Sequence, residues 1–116
     1  MTGQDVTEAF HMMWDHFPDP VMLIQRDRTI VATNLAARGQ GIADGTRCFR
    51  LNGVTDGSCA GCLANQALRA GKSESVEGSY QGKSIRGYWV PLNGRDDLYL
   101  HFYVPMSAKT CQCSAA

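Results

Sequence analysis

Apolar positions along the chain first follow a helical spacing and later alternate. Val6, Phe10, Met13 and Phe17 recur at helical spacing, one stripe of an amphipathic helix. Asp5, with Glu8 three residues on, reads as the capping box that opens it. Pro18 and Pro20 close it, because proline cannot continue the hydrogen-bond ladder and restricts the residue before it. Val21 to Gln25 and Thr29 to Thr33 then read as two short strands around a polar turn, Arg26 to Arg28, and so as a hairpin.

Asn34 starts a short helical piece over Leu35 to Arg38, stopped by Gly39 and Gly41. Thr46 to Leu51 has room for one or two helical turns carrying Cys48. Beyond the loop Asn52 to Gly57, Ser58 is an N-cap candidate, Leu63 to Ala70 is rich in helix formers, and Gly71 suits a left-handed C-cap. This reading puts Cys59 and Cys62 in the first helical turn. From Ser73 the period becomes two. Val76, Gly78 and Tyr80 alternate with polar residues before a Gln81-Gly82 turn, and Ile85, Gly87 and Trp89 alternate with Arg86, Tyr88 and Val90 until Pro91 and Asn93-Gly94 break the run. The last strand sets Leu98, Leu100, Phe102 and Val104 on one face and Tyr99, His101 and Tyr103 on the other, ending at Pro105. Helix, two strands, short helices and three strands predict an α+β fold, an antiparallel sheet with helices over one face.

At 116 residues the chain has room for one folded unit. Residues 1–17 are read as the N-terminal helix, 18–105 as the domain, and 106–116 as a cysteine-containing tail. Hydrophobic residues at 44% and charged ones at 19% exclude the disordered and fibrous classes. The net charge of +0 and the lack of a lysine-rich stripe leave no basic surface for a phosphate backbone, so nucleic acid is not an expected partner. The N-terminus carries acidic residues and histidines where a signal peptide has a basic start, and the apolar runs fall short of a membrane span; a cytoplasmic location without membrane contact is expected. There is no paired-carboxylate set, phosphate-cradling glycine motif or nucleophile with a base beside it, so no enzyme is expected.

The chemistry lies in the cysteines. Cys48, Cys59 and Cys62 are spaced C-x10-C-x2-C, and Cys111 and Cys113 lie near the C-terminus. A C-x2-C pair can set two sulfurs on one metal. Four thiolates, from Cys48, Cys59, Cys62 and one of Cys111 or Cys113, suit an iron-sulfur cluster or structural zinc, and a single C-x2-C pair fits the common zinc-finger spacings poorly. A thiol-disulfide switch and inert buried thiols with no cofactor are the competing readings. A dithiol oxidoreductase is the enzyme-class rival, although its Cys59-Ala60-Gly61-Cys62 pair would have to follow a buried parallel strand. His11, His16 and His101 read as surface or hydrogen-bonded residues in preference to haem ligands.

The segment PDPVMLIQRDRTIVATNLAA, with this element order, resembles a PAS domain over about Phe17 to Val104. The stretch CFRLNG followed by CAGC is similar to a cysteine-bearing subgroup of PAS domains that serve as input modules of bacterial sensor proteins, and some members of the wider group hold an iron-sulfur cluster and report oxygen or redox state. GTRCFRLN also resembles the cysteine motif of flavin-binding light-sensing PAS domains, but Arg47 precedes the cysteine and the strand from Ser84 to Leu92 lacks an asparagine for a flavin ring. The resemblance implies a five-stranded sheet ordered 2-1-5-4-3 with ligands held between sheet and short helices. In that topology the last strand ends near the start of the first. The helix after Cys59 is expected to begin facing that exit, within reach of Cys111 or Cys113. The expected function is redox or oxygen sensing through a cluster or reactive thiols, passed to a downstream signalling protein; a cofactor-free interaction module is the alternative. Phe10, Met13, Trp14 and Phe17 on the first helix are the expected homodimer surface.

Overall fold

A computed structural model describes residues 3–52, 61–80 and 82–106, so that Cys59, Cys111 and Cys113 fall outside the described residues. The elements are α1 (Gly3–Trp14), β1 (Val21–Gln25), β2 (Ile30–Thr33), α2 (Leu35–Gly39), a 3₁₀ turn (Cys48–Asn52), α3 (Ala64–Ala70), β3 (Glu74–Tyr80), β4 (Lys83–Leu92) and β5 (Arg95–Pro105). The five strands form one sheet in the order β2-β1-β5-β4-β3, antiparallel throughout, as the pattern and the resemblance imply. None of the described helices is long and apolar enough to cross a membrane.

Both faces of the sheet are covered, and this decides where the alternating residues go. On the outer face α1 lays Val6 and Phe10 against Val21, Leu23, Ala32, Leu98 and Leu100. Trp14 and Phe17 extend this contact to Phe102, which in turn stacks on Tyr88 with ring centroids 5.3 Å apart. On the inner face Met22, Ile24, Ile30, Trp89 and Tyr99 pack under Ala64 and Ala67 of α3. Two alanines three residues apart present no bulk, which lets a seven-residue helix lie close to the sheet. The Tyr99 and His101 side of β5, the more polar side in sequence, is therefore an interior surface.

Several local readings change. Phe10 is 3% exposed and Trp14 and Phe17 are partly buried against the sheet, so the apolar stripe of α1 is an intramolecular contact, and on that helix Met12 and Met13 are left at 81% and 66% exposure. The helix starts at Gly3, which puts Asp5 inside it rather than at its cap. At α3 the cap is Leu63, with no side-chain hydrogen bond, so Cys62 precedes the helix. Gly61, at φ +79°, holds the backbone in the left-handed region just before it, which is incompatible with helix. Gly71 ends α3 in the left-handed conformation expected of it. Pro91 lies within β4 and does not end it, because the β4–β5 register slips between Pro91 and Leu92.

One buried polar residue joins the outer helix to the sheet and to α2. Asn34 is fully buried, and its Oδ1 accepts from the amides of Val21 at 2.9 Å and Ala37 at 3.0 Å. Its Nδ2 donates to the carbonyls of Trp14 and Asp19, each at 3.0 Å, with that of Phe17 at 3.4 Å. The first bonds cap α2 and start β1, and the others fix the segment that leaves α1.

Candidate functional site

The inner face is assembled around Tyr99, which β5 sets opposite Ile24 of β1. The β1–β2 turn brings Arg28 to it. The Arg28 amide donates to the Gln25 carbonyl at 2.8 Å, and the residue sits at φ +79°, a left-handed conformation that a non-glycine residue seldom adopts. Its side chain is 5% exposed, with the guanidinium carbon 5.9 Å from the Tyr99 ring centroid. Nη1 donates to the Arg26 carbonyl at 2.5 Å and Nη2 to Asn65 Oδ1 at 3.2 Å. Arg28 therefore ties the hairpin turn to the start of α3.

Cys48 reaches the same place from the other side. Its amide donates to the Arg28 carbonyl at 2.8 Å, next to the bridge between Thr29 and Arg47. Cys48 and Cys62 are both half-buried, and both pack on the inner cluster that contains Tyr99. Burial pushes the Tyr99 phenol well above its ordinary range; the Cys48 thiol adds to this, Arg28 opposes it, and Cys62 adds further. The hydroxyl of Tyr99 and the Nε of Arg28 are buried with no hydrogen-bond partner among the described residues.

His101 stacks on Trp89, centroids 4.8 Å apart and planes 17° from parallel. A carbonyl only accepts, so the 2.9 Å contact between Nδ1 and the Tyr88 oxygen assigns the proton to Nδ1 and makes Nε2 the acceptor of the neutral ring. Burial lowers the His101 pKa, the Tyr88 bond opposes this, and Arg28 lowers it further. As pH falls through the unfolded value of about 6.5, the unfolded chain takes up a proton before the folded one does, so stability present above that pH declines. Thermal unfolding from pH 7.5 to 5.5 should show a falling Tm that flattens in His101→Gln. Equal slopes in the two proteins would remove His101 as the cause.

Of the cysteines read as ligands, Cys48 and Cys62 both pack on the inner cluster around Tyr99; Cys59, Cys111 and Cys113 lie outside the described residues. Among the described residues no three His, Cys, Asp or Glu side chains gather as a metal-binding group. The expected meeting of the α3 start with the β5 exit does not occur. Asn65 bonds Arg28 beside Tyr99, and Pro105 lies six residues further along β5, about 20 Å away at strand rise. The reason is that α3 starts at the β1–β2 turn instead of at the end where β5 leaves the sheet. His11 and His16 are not on this face: His11 pairs with Asp15 at 2.8 Å and approaches Arg38 at 3.1 Å, and His16 is exposed. A groove of about 570 Å³ opens between Leu68 and Gly71 of the α3 end and the Pro91-to-Asp96 turn, and neither Cys48 nor Cys62 lines it.

Arg28 and Tyr99 were not singled out by sequence reasoning. Arg28 looks like any polar turn residue, and only its place between two β-rich runs hints that the turn folds back over the sheet. Tyr99 sits in a plain alternation whose two sides are both interior.

No family model matches the chain, and no curated protein matches it. Solved structures do. The chain is similar to a sensory box sensor histidine kinase from Vibrio cholerae, with a TM-score of 0.59 and 12% identity over 90% of this chain and 88% of that one. It is similar to the PAS domain of BvgS from Bordetella pertussis, with a TM-score of 0.57 and 14% identity over 96% of this chain and 91% of that one. For the PAS domain of an HTR-like protein from Haloarcula marismortui the TM-score is 0.54 and the identity 18%, over 89% of this chain and 99% of that one. With the 2-1-5-4-3 sheet, the outer helix and the short helices over the inner face, these likenesses give the chain the fold of a PAS domain.

Proposed function

We propose that the chain is a non-enzymatic sensory domain of the PAS type that responds to redox state through Cys48 and Cys62. The observation that carries this reading is the packing of both sulfurs, from separate segments, on the buried cluster around Tyr99. Oxidising a half-buried sulfur adds a polar atom or a new bond where α3 and the 3₁₀ turn meet the sheet. The helical layer must then repack on β1 and β5, the strands that carry α1 on their outer face, from which a downstream protein can read the change.

A second reading is an iron-sulfur cluster or zinc held by Cys48, Cys59, Cys62 and Cys111 or Cys113. The described residues supply two of the four donors, and the buried Arg28 cation beside them suits an anionic thiolate cage. When bound, a cluster would supply one-electron chemistry. The tail would have to double back, since Cys111 is six residues beyond Pro105, a reach of roughly 20 Å. The exposed Met12 and Met13 support self-association through α1, which Met12→Lys with Met13→Lys should abolish in light scattering without changing the Tm.

Near-ultraviolet circular dichroism of anaerobically purified protein tests the primary reading. Adding hydroperoxide should change the Trp89 and Tyr99 signals, and Cys48→Ser combined with Cys62→Ser should remove most of the change. A response that survives both substitutions contradicts the reading. Visible absorption with stoichiometric iron and sulfide supports the cluster instead.

A further inference from the structure

We infer that Tyr99 and Arg28 form a built receptor for an oxygen atom placed on the sulfur of Cys48, so that the oxidised state held by this domain is a Cys48 sulfenate. This rests on the thiol reading above and specifies its product. Tyr99 is fully buried and Arg28 is 5% exposed, yet the Tyr99 O–H and the Arg28 Nε–H lack acceptors among the described residues. Each such donor costs about 1–3 kcal/mol when left unmade. The other guanidinium nitrogens are engaged, Nη1 by the Arg26 carbonyl and Nη2 by Asn65, which orients the fork over the tyrosine ring. No carboxylate among the described residues lies within ion-pair distance of Arg28, and the Asp27 carboxylate feels its charge only from further away.

A thiol is a poor acceptor and leaves both donors wanting, whereas an S–O⁻ oxygen is a strong one. Cys48 is the sulfur placed to carry it. Its amide bond to the Arg28 carbonyl sets the two residues side by side, and its side chain packs on the cluster of Tyr99. Half-burial admits a small oxidant.

The oxidant is a hydroperoxide. The Cys48 thiolate attacks one peroxide oxygen; an S–O bond forms and the O–O bond breaks. Sulfur gives up two electrons, the peroxide takes them, and the departing hydroxide or alkoxide is protonated to water or alcohol. The sulfenic oxygen then accepts from Tyr99 O–H and Arg28 Nε–H. Cys62 belongs to the same cluster and is the competing route: its thiol would displace that oxygen as water and close a disulfide. The two donors favour the sulfenate over this loss.

The test uses the full chain, reduced and then exposed to hydrogen peroxide, with sulfenate trapped by dimedone at timed intervals and located by mass spectrometry. Cys48 should be the labelled site, and Tyr99→Phe should shorten the life of the label-competent state roughly tenfold or more, the weight of one hydrogen bond to a charged acceptor. Arg28→Met should act in the same direction. Reduced Tyr99→Phe should melt no lower than the parent, since it discards a buried hydroxyl with no partner; this separates lost chemistry from lost folding. Equal lifetimes in the parent and Tyr99→Phe, or labelling confined to another cysteine, would overturn the receptor while leaving thiol sensing intact. No oxidation of any cysteine would overturn both.

Discussion

Replacing Tyr99 by alanine should destabilise the domain by about 3–5 kcal/mol, the range for removing a large buried aromatic side chain. The ring is fully buried in one cluster with Met22, Ile24 and Ile30 beside it on the sheet and Ala64 and Ala67 of α3 above. Two features make collapse of the cavity hard. The neighbours in α3 are alanines, which have no side chain to move in, and β5 is held on both edges by β1 and β4. A helix of seven residues has little stability alone and depends on this contact. The Tm should fall by roughly 15 °C for a domain of this size, read by circular dichroism. A loss of less than 1 kcal/mol would mean that Tyr99 does not bridge the sheet and the helical layer.

Asn34→Ala should cost about 3 kcal/mol, because it leaves buried amides and part-buried carbonyls without partners in three segments. The bonds to Val21 and Ala37 open β1 and α2, and the bonds to Trp14 and Asp19 hold the exit of α1. Asn34→Asp separates the two sets. It keeps the acceptor for Val21 and Ala37 and replaces the donor with an oxygen facing the carbonyls of Trp14, Phe17 and Asp19. The loss should therefore match or exceed that of alanine. Urea unfolding should show a lower midpoint at unchanged slope. In hydrogen exchange on Asn34→Ala the Val21 and Ala37 amides should be the first to lose protection. Full stability in Asn34→Asp would deny that the amide nitrogen anchors α1.

The fold was legible where the pattern was strong. β1 was read residue for residue, and the alternation in β5 held because both of its sides are interior surfaces with different partners. Asn34 and Gly71 were readable as a cap and a stop, since each answers a backbone requirement local to a few residues. What the sequence did not disclose depends on distance in the chain. Phe10, Trp14 and Phe17 looked like a free apolar stripe because their cover, the outer face around Val21, Leu98 and Phe102, lies elsewhere in the sequence. The start of α3 was misplaced by a cap reading at Ser58 that ignored Gly61, whose positive φ keeps Cys62 out of the helix. Arg28 became part of the site through a turn conformation that no periodicity announces. A shared site for Cys48 and Cys62 could be proposed from spacing and topology, but the buried donors of Tyr99 and Arg28 on the same cluster could not.

Bridging with dibromobimane, a reagent that joins two neighbouring thiols, measures the central relation directly. In reduced protein under anaerobic conditions, peptide mapping should find Cys48 and Cys62 joined by one reagent molecule, and Tyr99→Ala should disperse that product by freeing α3. Single adducts on each cysteine, with no Cys48–Cys62 bridge in the folded parent, would contradict a shared site on the inner face.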